Sequence, residues 1–338
     1  HNCENLIGAT QIPLGVAGPL NTSNIKHQTS NIYLPLATTE GALVASINRG
    51  CKAICASGGA ITNSQRVGVT RGPVFYTGGI KKTQRFYEWI RSNEEKMAKI
   101  SESTSHHLTY NKAEVTSVGK YTYIRFSFDT QDAMGMNMVT IATQKLVEFI
   151  ENETDIPCIS LSGNFCVDKK VSWQNFINHR GIKAWAEVVL SEEVLKTVLK
   201  TTAEKMYQVW MAKCLLGSVM AGAVGFNAQA ANVIAAIFLS TGQDPGHIGE
   251  SSMAVTTAEV VKNSPHNDLF MSVYLPDLMI GTVGGGTGLA TQREALEMLG
   301  VAGGNEGKNT LIFAEIITAA VLAGEVSLLA SLEEGTLA

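Results

Sequence analysis

The chain has 338 residues, 45% of them hydrophobic and 17% charged, which excludes intrinsic disorder and permits a sizeable core. That length suits two domains, or one domain carrying a large insertion. The formal net charge is -4 and Lys and Arg form no dense block, so a nucleic-acid partner is not expected.

In chain order, GATQIPLGVAGPL (8–20) reads as a loop or edge strand punctuated by Pro13 and Pro19. A helix is predicted from Glu40 to Arg49, closed by Gly50, and 56–71 reads as glycine-rich and irregular. Residues 72–160 read as a separate unit: a strand at 72–78, a polar-faced helix at 80–100, strands at 108–117 and 120–129, a helix capped by Asp132 and running to Asn152, and a strand at 156–161. The order β-α-β-β-α-β predicts a ferredoxin-like split βαβ arrangement and not a Rossmann sheet. The segment LSGNFCVDKK (161–170) reads as a loop. Ser191 caps a predicted long helix with Val194, Leu195, Val198 and Leu199 on one stripe.

Residues 214–243 carry no charged side chain, and their length alone would allow a membrane span. Asn227, Gln229 and Asn232, with Gly217, Gly222 and Gly225, argue for a buried helical core broken near Gly222–Gly225. A strand at 277–283 leads into Gly284-Gly285-Gly286-Thr287, then helices at 291–299 and 309–332. The expected fold is α+β: a large mixed helix and strand domain (1–71 and 161–338) with 72–160 inserted. There are no repeats and no signal peptide. The chain opens on His1, which leaves open an upstream segment, a membrane anchor included.

Six cysteines (Cys3, Cys51, Cys55, Cys158, Cys166 and Cys214) form no CxxC pair, which suits a reducing compartment and a cytoplasmic location. The seven histidines show no metal-ligand spacing beyond the adjacent His106 and His107, so no metal is expected. A strand, a run of three glycines and a helix suit a phosphate or dinucleotide, since bare N–H groups meet a helix N-terminus. The run is no GxGxxG, and on its own it is as well read as a tight turn. Asp168-Lys169-Lys170 suits an anionic substrate or a developing oxyanion, although alone it is an ordinary solvated charge run. Glu40 suits the first turn of its helix. Asp244, at the end of the uncharged stretch, suits a perturbed carboxylate at the mouth of a buried region. DAMGMNM (132–138) is either a Met-rich core segment or a helix N-terminus facing a phosphate.

Taken together, these segments resemble a known family. PLATTEGALVASINRGCKAI (35–54), GVTRGPV (68–74), DAMGMNM (132–138), SGNFCVDKK (162–170), NAQAAN (227–232), TGQD (241–244) and IGTVGGGT (280–287) resemble, in order, the signature segments of class I 3-hydroxy-3-methylglutaryl-CoA reductases. ENLIG (4–8) is similar to the family's dimerisation motif, and GTGLATQREALEMLG (286–300) resembles archaeal or prokaryotic members more than animal ones.

The resemblance implies a four-electron reduction of the thioester to mevalonate and CoA by two NAD(P)H. It makes Lys169 the group that polarises the carbonyl and Asp244 the residue that tunes it. Glu40 becomes a proton donor to the intermediate aldehyde, with a pKa raised by burial. Arg71, Lys170 and Ser162 would meet the substrate's far carboxylate, and Asn164, Asp168 and Asn232 would position the rest. Ser46, Asn48 and Arg49 fall on the segment that lies near CoA. Asp132, Met134, Met136, Met138 and the Gly284, Gly285, Gly286, Thr287 turn would contact the cofactor, which the 72–160 unit binds. Active sites between subunits imply a homodimer or a dimer of dimers. The family's catalytic His would fall about three residues past Ala338. Ser105-His106 stands where many relatives have Ser-Arg for the 2′-phosphate, so NADPH is expected with NADH as the second option. Gln229 replaces a customary His. Two other classes remain open at this point: an acyl-CoA-dependent transferase, with Cys166 as its nucleophile, and a non-catalytic oligomeric binding protein.

Overall fold

The computed structural model describes residues 3–24, 30–263 and 265–335. The first part of the chain forms β1 (Leu14–Asn24), β2 (Ser30–Ala37), α1 (Leu43–Ala56) and β3 (Ala60–Arg71). A smaller unit follows: β4 (Val74–Tyr76), α2 (Ile80–Ser92), α3 (Glu94–Glu102), β5 (Thr109–Val118), β6 (Tyr121–Asp129), α4 (Met136–Thr154) and β7 (Cys158–Ser160). The chain then returns through α5 (Trp173–Asn178), β8 (Arg180–Leu190), α6 (Glu192–Thr197), α7 (Ala203–Trp210), a π-helical turn at Met211–Gly217 and α8 (Ser218–Ala221). It ends with α9 (Ala230–Thr241), α10 (Ile248–Ser251), β9 (Val255–Asn263), β10 (His266–Leu278), α11 (Ala290–Met298) and α12 (Lys308–Glu334).

Two sheets share one strand. In the larger, the order is β2-β1-β3-β8-β10-β9, antiparallel apart from the short β1–β3 pairing. In the smaller, the order is β7-β4-β6-β5, antiparallel throughout. That is the strand arrangement of a split βαβ unit, so the fold is α+β and not a Rossmann sheet. β3 belongs to both sheets: 61–68 pair with β8, while Val69–Arg71 pair with β6.

Each sheet has its own core. α4 repeats Val139, Ala142, Leu146 and Ile150 at helical spacing and lays that stripe on Phe75, Ile124, Phe126 and Phe128. On the larger sheet, α12 is apolar on every side, as a helix surrounded by protein must be. It is long and apolar enough to cross a membrane, yet 83% of its apolar window is buried against the fold. α1 and α9 pack on it, and it rests on β3, β8 and β10.

Several sequence expectations need correction. Within the expected 8–20 segment, residues 14–20 form a strand paired with β2 alone, and β1 gains its second neighbour, β3, only at Thr22, Ser23 and Asn24. α1 starts at Leu43 and runs through Gly50 to Ala56. Residues 56–71, read as irregular, contain the twelve-residue β3. The expected 80–100 helix is broken into two at Asn93. Ser191 does cap a helix, accepting from Val194 N, but α6 ends at Thr197. Asp132 does not cap α4, which begins at Met136. The expected 277–283 strand is the tail of the long β10, which ends at Leu278. The uncharged 214–243 stretch is buried only in its second half. Leu216 is 54% exposed and Met220 86% exposed, so the first half is an apolar surface.

Gly50 shows why tertiary contact overrode a helix-stop signal. A Cβ at Gly50 would lie 1.9 Å from the Ala323 carbonyl oxygen, so α1 and α12 touch backbone to backbone there. Helix propensity alone would make Gly50→Ala stabilising by about 1 kcal/mol. Overpacking instead predicts a loss of about 3 kcal/mol or more. A urea midpoint that rises or stays in place would show that the helices do not meet at Gly50.

Candidate active site

Part of the expected site, the Asp168–Lys169 loop with Asp244, lies where the two sheets join. Val167 and Lys169, in the loop between β7 and α5, hold backbone φ values of 50° and 62°. Such left-handed geometry costs a β-branched or long side chain roughly 1–3 kcal/mol, and it persists where the surroundings impose it. Here they do. Thr70 donates to the Cys166 carbonyl, Gln174 to the Phe165 carbonyl and Asn175 to the Val167 carbonyl, while the Lys169 N–H donates to Glu250 Oε1 at 3.0 Å.

Behind this loop lies Arg180, fully buried at the first position of β8. It donates to both oxygens of Glu250 (2.9 and 2.8 Å), to Asp168 (2.9 Å), to Thr70 (3.0 Å) and to the Met136 sulfur (3.0 Å). Burial would push the Glu250 carboxyl up. The hydrogen bond from His247 and the charges of Arg180 and His247 prevail, holding it below the usual carboxylate range. Asp277, also fully buried, has no hydrogen-bond partner of normal geometry among the described residues, although Glu250 and Asn175 lie close enough to influence it. Burial and then the Glu250 charge drive its pKa up, which favours the neutral form of Asp277. Asp168, His247 and Glu250 approach one another closely enough to bracket an ion, but the Arg180 guanidinium already supplies the cation.

The front of the cluster is the Lys169–Asp244 pair. Lys169 Nζ lies 2.7 Å from Asp244 Oδ2, with both side chains partly exposed to solvent. The Gly246 N–H donates to the other oxygen at 2.9 Å. Burial raises the Asp244 carboxyl, but the hydrogen bonds from Lys169 and Gly246 and the charges of His247 and Lys169 bring it below its ordinary value. The result is an oriented ammonium at a rim open to a ligand.

Glu40 and Asn232 form a second focus. Asn232 Nδ2 donates to Glu40 Oε1 at 3.1 Å. Glu40 precedes α1 and does not sit in its first turn; its N–H donates to Thr38 Oγ1. It is exposed in this chain, so the burial expected of it is not present in a single subunit. The start of α9 is fixed from α12 by the buried Glu325, which accepts from the N–H groups of Ala228 and Gln229 and from Thr256. Asn232 lies near the start of α9 and Asp244 just past its end. The nine helical steps from Asn232 to Thr241 put roughly 14 Å of helix between the two foci.

The remaining candidates divide. Arg49 is anchored to α12 through Ser327, Ser331 and Glu334, and Ser46 shares the Ser327 hydroxyl. Asn48 accepts the Gly18 N–H. Arg71 donates to Thr140. Ser162 lies against Cys166 Sγ, Lys170 donates to the Asp168 carbonyl, and Asn164 is exposed.

On the cofactor side, Ala133 bridges Val283, which sets the glycine turn beside the start of α4. Gly284 and Gly285 have φ values of 78° and 55°, and a Cβ on either would meet nothing within 4 Å. No side chain covers the turn at these two positions, and the start of the nineteen-residue α4 lies next to it; a helix N-terminus beside such a turn fits a nucleotide phosphate. The Asp132 carboxylate is committed elsewhere: it accepts from the N–H groups of Asn305, Gly307 and Thr310 and so caps α12. Met136 is buried, with Met134 and Met138 partly so. Ser105 Oγ accepts the His107 N–H, His107 Nδ1 lies 3.0 Å from Gln131 Oε1, and His106 is exposed.

All 338 residues match the sequence family described as hydroxymethylglutaryl-coenzyme A reductase. The chain belongs to that family. Archaeal 3-hydroxy-3-methylglutaryl-coenzyme A reductases are its relatives at high identity. It is 48% identical to that of Methanothermobacter thermautotrophicus, covering 100% of this chain and 83% of that protein. It is 49% identical to that of Methanocaldococcus jannaschii, covering 99% and 82%. The fold is shared with the class II enzyme of Streptococcus pneumoniae, solved with NADPH in open conformations, at a TM-score of 0.77 and 17% identity over 98% of this chain and 87% of that one.

A hydroxymethylglutaryl-coenzyme A reductase reduces its thioester with NAD(P)H, and the transferase and binding-protein readings fall away. The structure speaks against the first of them independently, because Cys166 is fully buried. Sequence reasoning missed Arg180, His247, Glu250, Asp277 and Asn175, which make up the interior of the site. The spacing of His247 and Glu250 on one turn was a signal, but only burial separates these charges from ordinary surface residues.

Asp277 carries a pH prediction. Its folded pKa is raised, so folding retains a proton that the unfolded chain releases above about pH 3.9. Stability from this group is therefore whole below that pH and declines as pH rises toward the folded value. Asp277→Asn should match the wild type in urea midpoint near pH 4 and exceed it at pH 7.5. Equal midpoints at both pH values would mean that Asp277 ionises in the fold.

Proposed function

We propose that Lys169, Asp244 and Glu40 are the reacting groups of this reductase, working on a substrate held between two subunits. The observation that carries this is the 2.7 Å Lys169–Asp244 pair at the rim of an otherwise buried charge cluster. A bound nicotinamide would supply hydride to the thioester carbonyl carbon; collapse of the resulting hemithioacetal would release CoA as its thiol, and a second hydride would reduce the aldehyde left behind. The Lys169 ammonium faces the negative charge that grows on the carbonyl oxygen, and Asp244 keeps that ammonium oriented so that little reorganisation is needed. Glu40 donates the proton that completes the alcohol. Arg71, Lys170 and Ser162 take the substrate's far carboxylate. Asn164 and Asn232 orient its remainder, and Asp168 acts through Arg180 by fixing the loop. Ser46, Asn48 and Arg49 lie on the CoA side, where Arg49 works as an anchor of α1.

The length of α9 supports a two-subunit site: Glu40 is tied to Asn232 near one end of the helix, and the Lys169–Asp244 pair lies past the other. A second copy, packed on the apolar surface around Leu216 and Met220 and the exposed 4–8 segment, would bring its own Glu40 to this chain's Lys169. It would also bury that carboxyl. The smaller unit, 72–160, is the cofactor-binding insertion: Gly284–Thr287 and the start of α4 hold phosphate, Met134, Met136 and Met138 line the approach, and Asp132 holds the turn in place.

Lys169→Ala should retain fold and dimer while kcat falls roughly 10²–10³-fold, the usual effect of losing one oxyanion donor. Near-normal turnover of the purified variant would remove Lys169 from the chemistry.

NADPH, bound by the Streptococcus pneumoniae enzyme, is the proposed reductant here, with Ser105 and His106 reading the 2′-phosphate. An imidazole gains charge as pH falls through neutrality, and a phosphate dianion favours that charge. The NADPH-to-NADH ratio of kcat/KM should therefore rise from pH 8 to pH 6. His106→Arg should raise NADPH affinity, and His106→Ala should erode the discrimination. A preference for NADH at every pH, or one that does not move with pH, would assign NADH and release the histidines.

A further inference from the structure

Like Asp277, His247 is a buried group of the cluster whose bonding is incomplete among the described residues. It is fully buried on the 3₁₀ turn after α9, with Nδ1 on Glu250 Oε1 and Nε2 without a hydrogen-bond partner among the described residues. Nε2 faces Asp244 Oδ2 at 3.7 Å, the same oxygen that holds Lys169. Glu250 is ionised and can only accept, so the Nδ1 proton belongs to His247. In a neutral ring, Nε2 would then aim a lone pair at a carboxylate oxygen. In a cationic ring it aims an N–H there. The charge balance points the same way. Three carboxylates, Asp168, Asp244 and Glu250, face the two cations Arg180 and Lys169, and Asp277 stays neutral. One negative charge is left over, and an imidazolium would cancel it.

We propose that His247 is a positioning residue whose cationic form sets the Lys169–Asp244 pair for catalysis, sharing Asp244 Oδ2 with Lys169 and leaving an ammonium N–H free for the substrate oxygen. Loss of that proton returns Asp244 wholly to Lys169 and leaves the cluster one charge more negative as the oxyanion forms. The working enzyme therefore slows when His247 is deprotonated. This inference rests on Lys169 and Asp244 being the reacting pair.

The groups around the ring are Asp168 and Lys169 from the loop, Asp244 and Glu250 from its own segment, Arg180 from β8 and Asp277 from β10. The test has two arms on the whole protein. In the first, ¹⁵N NMR of the His247 ring should show both nitrogens protonated at pH 7, and in Asp244→Asn the ring should release the second proton at a pH lower by about one unit or more. A ring that is neutral at pH 7, or one whose titration ignores Asp244→Asn, overturns the proposal.

In the second, His247→Gln keeps a donor near Nε2 but cannot charge. Its kcat should fall about tenfold at pH 6.5 and lose the decline toward pH 8.5, with KM for the thioester within about twofold. A folded His247→Gln with the wild-type pH profile overturns it as well. If that variant does not fold, the NMR arm decides. Normal turnover by Asp244→Asn would instead overturn the reading of the reacting pair, while leaving the ring's coupling to Asp244 as measured.

Discussion

One buried cation organises this molecule. Arg180 has no access to water, and an unpaired guanidinium there would cost several kcal/mol. Its partners come from every part of the site: Thr70 on β3, Met136 at the start of α4, Asp168 in the strained loop and Glu250 on α10. Satisfying Arg180 therefore fixes the larger sheet, the smaller unit and the loop carrying Lys169 relative to one another. Such ion clusters add little net stability compared with a well-packed apolar core, but breaking one is expensive. Here that expense falls on any arrangement in which the loop carrying Lys169 is out of place.

The strained loop is the local expression of the same constraint. Val167 and Lys169 would relax in isolation, and four backbone groups held from outside keep them where they are. This is why the ammonium can be partly exposed and still ordered. The side chain reaches solvent, while the backbone beneath it is tied to Glu250 and, through Glu250, to Arg180. Geometry is set before substrate arrives, and preorganised charge of this kind is worth most to a reaction that develops an oxyanion.

α9 and α12 divide the labour differently. Glu325, buried in α12, holds the first N–H groups before α9, and so places Asn232 and through it Glu40. The other end of α9 delivers Asp244. Asp132 performs a matching task on the cofactor side, where its carboxylate closes the start of α12 while its backbone carbonyl receives the N–H of Thr282 ahead of the glycine turn. Buried carboxylates thus do the joining in this fold, and the groups that meet ligand hang from elements they have fixed.

Much of this was legible in the chain itself. Alternating and helical apolar spacing located β5, β6, α4 and the long α12 to within a few residues, because those periods follow from backbone geometry alone. Lys169, Asp244, Glu40 and the glycine turn stood out through the family's ordered segments. What failed were local stop signals. Gly50 reads as a helix end but serves a helix crossing, and the glycines of 56–71 read as loop but lie around β3, a strand that two sheets share. Asp132 reads as the cap of the next helix but caps one that begins 176 positions later, at Lys308. The chain's own order determined which elements form and which residue types carry chemistry. Only the tertiary structure decided which charges are buried, because burial depends on what lies opposite. Arg180, Glu250, His247 and Asp277 are scattered over nearly a hundred residues, and they become one electrostatic unit only when β8, β10 and the turn leading into α10 bring them together.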